Sequence, residues 1–433
     1  MSMGRVYKSL GELGRIITGK TPKTDIADYW GGHVPFITPT DINGYDSFFQ
    51  GETERYISAE GVKKQKATLL PPKSVCFSCI ASIGKSCLTR VCSITNQQIN
   101  SIIPNKENDY RYLLYLLRYN LPYIQMVGGG SGSGTPIISK NKFAKFKFLV
   151  EGNLEAQHRI ASILSTYDTL IENNAKRIRL LEKMAENLYK EWFVRFRFSG
   201  HENVEMENSK YGKLPKTFEI VKMNEVFDYY IGGGWGEEER SEGFPEEASV
   251  IRGADFPNIW HYDVSSCPKR YHKAKNYKAR QLEDGDIIME ISGGTSEQPV
   301  GRTVLVTEDL LERFPNKRLI CASFCKLIRL KKDVVSPYYF YYWMKFLYDT
   351  RIIDRFQLQS TGIINFKFEP FLRRGDVVLP PKEVMFAFEK QVSLCHKEMN
   401  QLAKQNSLLA RQRDLLLPRL MSGKLEVKEE LLE

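Results

Sequence analysis

Residues 154–192 read LEAQHRIASILSTYDTLIENNAKRIRLLEKMAENLYKEW, and apolar residues recur in this stretch every three or four positions. The series begins Ile160, Leu164, Tyr167, and the same steps return at a constant offset from Phe388 to Leu420. A stripe with this spacing is buried best against a second helix. We therefore predict two long helices, from about Leu154 to Trp192 and from about Lys382 to Leu417, which pair as an antiparallel coiled coil. Pro418 is expected to end the second one.

Two asparagines interrupt the apolar stripes, Asn174 in the first and Asn406 in the second. Each is either a tolerated substitution or a buried amide that fixes the register, since slipped pairings would leave it without a partner. The side chains expected to form the contact between the helices are Leu164, Ile171, Asn174, Ile178, Leu181, Leu188, Met399, Leu402, Asn406, Leu409 and Leu416.

Each long helix follows a segment in which short β-rich runs alternate with clusters of turn residues. The two segments align at several points: residues 36–42 match 250–256, and residues 134–138 match 360–364. We therefore predict an α+β fold made by tandem duplication of a β-rich domain followed by a long helix. The expected segments are 1–152 for the first β-rich domain, 153–198 for the first helix, 199–381 for a linker and the second domain, and 382–433 for the second helix and a tail.

The composition is that of an ordinary globular chain with a basic surplus: 433 residues, 42% of them hydrophobic, and a net charge of +10. This charge favours a polyanionic partner, although a plain basic surface gives the same number. No apolar run approaches the length of a membrane span, and the first residues lack the apolar core of a secretory signal. We expect a cytoplasmic protein without membrane contact.

Four cysteines in the first half, Cys76, Cys79, Cys87 and Cys92, superficially resemble a paired zinc motif. They lie in a stretch that is typical of buried strands, and the matching stretch of the second half, residues 286–291, has no cysteine. Reduced thiols in strands are therefore the better interpretation.

Residues 14–21, GRIITGKT, fit the P-loop string letter for letter. A phosphate-binding loop needs a buried strand before the first glycine and a helix after the threonine, and polar sequence stands in both places. We favour a glycine loop that approaches a nucleic-acid backbone. The chain has no nucleophile elbow, no HExxH and no GxGxxG between a strand and a helix, so we expect a protein that is no enzyme and uses no cofactor.

Two polar loops are candidates for contact with nucleic acid. Asn96-Gln97-Gln98 offers amides that can pair with adenine edges, although amides also hold turns together. The glycine- and serine-rich stretch from Gly128 to Thr135 is followed by several lysines, and it is either a loop that lies on DNA or a plain surface loop.

The ordered set of these features resembles the specificity subunit of a type I restriction–modification enzyme over almost the entire chain. The local phrases that carry the resemblance are TGKTP (18–22), NQQ (96–98), EAQHRI (155–160) and RDLLLPRLMSGKL (413–425). The resemblance implies a non-catalytic subunit whose two target-recognition domains each read one half of a bipartite, asymmetric target in double-stranded DNA. It also implies that the helix pair acts as a spacer and docks two methylation subunits, with restriction–translocase subunits joining in the complete enzyme.

On this interpretation, the side chains expected to contact DNA are Lys20, Thr21, Lys23, Asn96, Gln97, Gln98, Ser131, Ser133, Lys140, Lys142, Arg252, Lys273, Arg302, Gln359, Ser360 and Thr361. Two other readings stay open. One is a nucleotide-dependent enzyme that uses residues 14–21, which ATP binding by the isolated chain would favour. The other is a coiled-coil adaptor without DNA contact, which absent or salt-insensitive DNA binding would favour.

Overall fold

The computed structural model describes residues 4–42, 48–49, 51–128, 136–295, 298–360 and 363–427. The chain forms two compact units. Unit 1 comprises residues 1–173 and 406–433, and unit 2 comprises residues 174–405. Each unit therefore contains a part of both long helices. The four segments expected from the sequence stay a prediction about how the chain divides into domains.

The first half of the chain supplies the strands and helices up to the end of the first long helix. In chain order they are β1 (Arg5–Ser9), α1 (Leu10–Leu13), β2 (Gly14–Thr18), β3 (Trp30–Ile37), β4 (Arg55–Ile57), α2 (Ala59–Lys64), β5 (Val75–Ser78), β6 (Ser86–Leu88), β7 (Ile94–Thr95), β8 (Ile99–Pro104), α3 (Tyr110–Tyr119), α4 (Leu121–Gly128), α5 (Lys140–Lys145), β9 (Lys147–Glu151) and α6 (Leu154–Tyr189).

The second half repeats this order with additions. Its elements are β10 (Met206–Ser209), β11 (Gly212–Pro215), β12 (Glu219–Lys222), α7 (Met223–Val226), β13 (Phe227–Gly232), β14 (Glu246–Ile251), α8 (Phe256–Ile259), β15 (Lys269–His272), α9 (Ala274–Arg280), β16 (Ile287–Glu290), β17 (Ser292–Gly294), β18 (Thr303–Leu305), α10 (Glu308–Leu311), β19 (Leu319–Cys321), β20 (Cys325–Leu330), α11 (Pro337–Asp349), β21 (Gln357–Ser360), β22 (Ile363–Phe366), α12 (Phe368–Arg374), β23 (Asp376–Leu379) and α13 (Lys382–Met421).

The sheets of the two units have the same topology, which confirms the predicted tandem duplication. Unit 1 has a four-stranded sheet in the order β2-β8-β5-β6, and unit 2 has one in the order β13-β20-β16-β18. A three-stranded sheet accompanies each, β4-β3-β7 in unit 1 and β15-β14-β19 in unit 2. One parallel pair occurs at the same place in both, with Ile37 opposite Thr95 and Ile251 opposite Cys321.

The hydrophobic core of each unit is built from equivalent positions. In unit 1, Val75 and Ile102 of the sheet pack with Leu113 of α3 and Leu164 of α6, and all four are fully buried. In unit 2, the corresponding positions are Ile287, Ile328, Phe340 and Val392, which are also fully buried. The long helices thus bury part of their apolar stripes against the β-rich domains, not only against each other.

One repeated contact fixes the start of each long helix to the N-terminus of a shorter helix, α3 in unit 1 and α11 in unit 2. Gln157 of α6 accepts a hydrogen bond from the backbone N–H of Asp109 through Oε1, at 2.9 Å. At the same place in unit 2, the sulfur of Met385 accepts from the N–H of Ser336, at 3.4 Å. A thioether is a weak acceptor, but it still satisfies a donor that would otherwise be buried alone.

Both long helices form, with ends that differ from the prediction. Helix α6 ends at Tyr189 and continues as a π-helical turn from Lys190 to Val194, so Trp192 lies in that turn. Helix α13 continues through Pro418 to Met421, and the predicted stop at this proline is therefore wrong. Because Pro418 lies in the last turn, its missing N–H removes a single helical hydrogen bond close to the end.

The helix pairing is antiparallel, as predicted. In unit 2, the amide of Asn174 donates to Gln405 at 3.4 Å, and Arg177 donates to Glu398 at 2.8 Å, so the partner numbers fall as the first numbers rise. Of the expected contact residues, Leu164, Asn174, Ile178, Met399 and Leu402 are buried. The half-buried ones are Ile171, Leu181, Leu188, Asn406, Leu409 and Leu416.

Residues 14–21 do not form a phosphate-binding loop. Gly14–Thr18 is strand β2, paired with β8, and a turn without helix follows it. The nucleotide-dependent reading therefore loses the helix N-terminus that it needs. Cys76 and Cys87 are buried in neighbouring strands, as the thiol interpretation predicted, and Cys79 is buried just after β5. The prediction of a buried strand is wrong for Cys92, which is exposed in a bend. Within the described ranges, no helix is long and apolar enough to cross a membrane.

Candidate nucleic-acid interface

Four loop segments meet at one end of the four-stranded sheet of unit 1. Backbone hydrogen bonds hold them together: Gly19 donates to Ile99 at 3.1 Å, Cys79 to Gln98 at 2.7 Å, and Ile138 to Cys79 at 2.8 Å. We call this surface the unit 1 edge. It consists of residues 18–21, 79–82, 96–98 and 136–138.

The turn after β2 rests directly on the Asn96–Gln98 loop. A Cβ atom on Gly19 would lie 2.2 Å from the carbonyl oxygen of Asn96, so only glycine fits there. The hydroxyl of Thr21 donates to Oε1 of Gln97 at 2.6 Å. Gln97 and Lys20 are exposed. The structure thus brings the consecutive residues Lys20 and Thr21 onto one surface with Gln97, which is distant from them in sequence.

Asn96 has a different environment from its neighbour Gln97. It is 8% exposed, its Nδ2 donates to Gln98 at 2.9 Å, and its Oδ1 accepts from the N–H of Gln98 at 3.1 Å. These bonds close the turn that presents Gln97 to solvent. Of the two interpretations of the Asn96–Gln98 amides, the turn-holding one describes Asn96. Gln97 is exposed to an outside partner, although its Oε1 accepts from Thr21.

The other predicted contacts of unit 1 lie on exposed lysines. Lys140 and Lys142 are exposed on α5, which follows the unit 1 edge in the chain, and Lys142 donates to the carbonyl of Val127 at 2.7 Å. Lys23 is exposed, and its backbone carbonyl accepts from the indole of Trp30 at 3.1 Å. Ser131 and Ser133 lie outside the described residues.

Unit 2 has an equivalent surface. Gly233 donates to Cys325 at 2.9 Å, Ile291 to Phe324 at 2.9 Å, and Phe366 to Ile291 at 2.8 Å. A Cβ atom on Gly233 would lie 2.1 Å from the carbonyl oxygen of Ala322, as for Gly19 in unit 1. We call this surface the unit 2 edge. It consists of residues 233–234, 291–294, 322–324 and 363–366.

Two arginines predicted to contact DNA in unit 2 are engaged within the protein. Arg302 is 8% exposed and donates to both carboxylate oxygens of Glu290, at 2.6 and 2.8 Å, and to the carbonyl of Gly253. We therefore assign Arg302 to the interior of unit 2 rather than to a DNA contact, since its donors are spent on a buried partner. Arg252 is partly exposed and forks onto Asp255 at 2.8 and 2.9 Å.

The remaining predictions for unit 2 concern Lys273 and the turn after β21. Lys273 is exposed, with its ammonium 5.3 Å from the ring centre of Phe244. Gln359 and Ser360 belong to β21, but their side chains, like all of Thr361, lie outside the described residues.

The residues predicted from the sequence do not include the exposed apolar residues at these edges. Phe324 is 66% exposed, and Ile137 of the unit 1 edge and Ile363 of the unit 2 edge are 57% and 49% exposed. A longer alignment of the two halves sets residues 322–324 against Asn96–Gln98. This match is hard to see in the sequence, because the two halves share no residue type over these three positions.

No catalytic arrangement accompanies the edges in the described part of the chain. No group of three or more His, Cys, Asp or Glu side chains there could hold a metal ion. A cavity of about 500 Å³ in unit 2 is lined by aromatic and aliphatic side chains, among them Tyr189, Phe193 and Trp343. Its carboxylate, Asp376, accepts from Lys222 at 2.7 Å and from Tyr211 at 2.6 Å. Burial raises the pKa of Asp376, but hydrogen bonds from Lys210, Lys222 and Tyr211 outweigh it and hold the pKa below its usual range, so the group is an ionised partner of lysines and not a proton donor.

Comparison with known proteins agrees with this picture. Residues 5–183 match the family model described as "Type I restriction modification DNA specificity domain". The type I restriction enzyme MjaIX specificity subunit of Methanocaldococcus jannaschii is 25% identical over 98% of this chain and 94% of its own length. The type I restriction enzyme HindI specificity subunit of Haemophilus influenzae is 32% identical over 41% of this chain and 39% of its own length.

A solved structure has the same fold. The S subunit of a type I restriction–modification system from M. genitalium superposes with a TM-score of 0.54, at 14% identity, over 97% of this chain and 96% of that one. A duplicated β-rich fold on paired helices, together with these relatives, is typical of a non-catalytic recognition subunit of a DNA restriction–modification enzyme. Residues 5–183 match the DNA specificity domain of these enzymes, and almost the whole chain is similar to one of their specificity subunits, which supports DNA sequence recognition as its function.

Proposed function

We propose that this chain reads a bipartite, asymmetric DNA target, with one half read by the unit 1 edge and the other by the unit 2 edge. The observation that supports this is the repetition of one backbone frame with unlike side chains. Asn96-Gln97-Gln98 stands in unit 1 where Ala322-Ser323-Phe324 stands in unit 2, and both loops are held by the same hydrogen bonds. Equal frames with different surfaces suit two different half-sites.

The paired helices α6 and α13 are the proposed docking site for two methylation subunits, and restriction–translocase subunits would join in the complete enzyme. Exposed leucines on both helices support this, with Leu180 62% exposed on α6 and Leu394 63% exposed on α13. Apolar side chains that a helix leaves in water are suited to a protein partner. Such an assembly acts on cellular DNA, which places the proposed site of action in the cytoplasm.

Co-expression with the neighbouring methylation subunit, followed by mapping of the methylated sites, tests this proposal. We expect one asymmetric, two-part sequence. Replacing residues 1–152 with those of a relative of different specificity should change one half of the sequence and leave the other. A replacement that changes both halves or neither would contradict independent reading. DNA binding that is absent or insensitive to salt would favour the adaptor reading instead.

A further inference from the structure

The unit 2 edge and the adjoining strand β21 carry an apolar surface that the predicted polar contacts do not account for. Phe324, Leu358 and Ile363 are 66%, 50% and 49% exposed. Single apolar residues on a surface need no explanation, but a group of them marks a contact site. Backbone hydrogen bonds join the segments that carry these three residues.

The first link joins Phe324 to the hairpin of β21 and β22. The carbonyl of Phe324 accepts from Ile291, the residue before β17. Strand β17 pairs with β22, and β22 pairs with β21. In that last pair Leu358 stands opposite Asn365 and Ser360 opposite Ile363, so Leu358 and Ile363 project from the same face of the hairpin.

The second link is the equivalence with unit 1. The bond from Cys79 to Gln98 in unit 1 corresponds to the bond from Ile291 to Phe324 in unit 2. Phe324 therefore occupies the position of Gln98, the last residue of the amide loop that the proposed function places on DNA. Where unit 1 presents an exposed amide at Gln97, unit 2 presents an exposed hydroxyl at Ser323 and an exposed ring at Phe324.

We infer that Phe324 is a specificity-determining residue of unit 2, which makes an apolar contact with the edge of a base in one half of the target. Apolar side chains read DNA by contact with the methyl group of thymine in the major groove, whereas amides read adenine. The inference rests on the proposed function, and it adds that the two half-sites are read by different chemistry: amide hydrogen bonds in unit 1 and an apolar contact in unit 2. Leu358 and Ile363 extend the same apolar surface.

The test compares Phe324→Ala and Phe324→Leu with the wild type in the complex assembled with methylation subunits. Because the ring is mostly exposed, neither change removes core packing, and unfolding in urea should match the wild type. We expect Phe324→Ala to weaken target binding by up to roughly 5- to 150-fold, the range for losing one matched base pair of a site, without changing binding to unrelated DNA. Phe324→Leu keeps an apolar side chain, so its affinity for the target should lie between those of the wild type and Phe324→Ala. Met206→Ala, on exposed strand β10 away from the edge, is the matched control and should bind as the wild type does.

Mapping of methylated sites gives the second readout. Phe324→Ala should relax base preference at one or two positions of one half-site and leave the other half-site unchanged. An unchanged map, or equal relaxation in both halves, would overturn the assignment of Phe324. Failure of Phe324→Ala to assemble with methylation subunits when DNA is absent would also overturn it, because the ring would then serve a protein contact. A wild-type complex that methylates without sequence preference would instead refute the proposed function itself.

Discussion

Arg413 of α13 donates a hydrogen bond to Asp168 of α6 at 2.5 Å, although 245 residues separate them in the chain. Both side chains are buried, at 4% and 2% exposure. Asp168 also accepts from the hydroxyl of Tyr115 at 2.5 Å and from Arg118 at 3.3 Å. One carboxylate therefore ties both long helices and α3 of the β-rich domain together within unit 1.

Breaking this pair should be costly. Arg413→Met leaves the charge of Asp168 with one arginine fewer, and we expect the free energy of unfolding in urea to fall by about 3–5 kcal/mol. Asp168→Leu should cost more than Arg413→Met, because it takes the carboxylate away from both Arg413 and the buried Arg118, whereas Arg413→Met keeps the pair of Asp168 with Arg118. The matched control is Arg177→Met, whose pair with Glu398 is about half exposed and should contribute at most about 1 kcal/mol. Equal losses in the buried and the exposed pair would contradict this account.

Gly19 and Gly233 should each be needed for one edge. An alanine at either position would place its Cβ within about 2.2 Å of a carbonyl oxygen, and relief of such a clash typically costs about 1–3 kcal/mol of backbone displacement. We expect Gly19→Ala to weaken reading of one half-site and Gly233→Ala to weaken reading of the other, as measured by methylation of targets mutated in either half. Gly243→Ala, where a Cβ meets nothing within 4 Å, should leave both halves unaffected. Loss of both half-sites from one glycine change would show that the edges are not independent.

Lys20 should contribute to DNA affinity through its charge and should not affect the preference for a DNA sequence. Its exposed ammonium beside Thr21 and Gln97 suits a phosphate. Lys20→Ala should lower affinity for all DNA sequences alike and reduce the slope of log affinity against log salt by about 0.9, the value for one phosphate contact. ATP hydrolysis by the complete enzyme should persist at saturating DNA. Lys106→Ala, beyond the opposite end of β8, is the control and should keep the wild-type slope. A lost ATPase would revive the nucleotide-binding reading of residues 14–21.

His396 should make the stability of unit 2 depend on pH. Its ring nitrogens accept or donate hydrogen bonds with the hydroxyls of Tyr262 and Tyr342, both at 2.9 Å, in a buried site on α13. Burial lowers the pKa of His396 from 6.5 to about 4. Between pH 4 and pH 6.5 His396 therefore binds a proton in the unfolded chain but not in the folded one. The free energy of unfolding is highest above pH 6.5 and falls by about 3 kcal/mol as the pH is lowered to 4.

Urea unfolding between pH 4 and 7.5 measures this effect as the difference between the wild type and His396→Gln. The variant should be less stable at neutral pH, because it loses two buried hydrogen bonds, but it should lose less stability than the wild type on acidification. His261→Gln, at an exposed histidine of the same unit, should retain the wild-type pH dependence. Parallel pH profiles for the wild type and His396→Gln would contradict a neutral buried ring.

The duplication and the long helices could be predicted from the sequence because helical spacing and repetition are local properties of the chain. The apolar steps of residues 154–192 need no partner to be recognised, and a helix with such a stripe has few alternatives.

The contacts between particular side chains could not be predicted from the spacing of apolar residues. The series of apolar steps passes through Tyr167, whereas the buried residue is its neighbour Asp168, which only the arrival of Arg413 and Arg118 makes tolerable in the interior. In the sequence Arg302 is indistinguishable from a surface arginine, and only its ion pair with Glu290 in the structure explains why it is buried. Phe324 lies in the turn between β19 and β20, and this place in the fold exposes its ring. Local periodicity determined the elements of this protein, while burial of charge and exposure of the reading surfaces depend on contacts between residues distant in sequence, which only the tertiary structure decides.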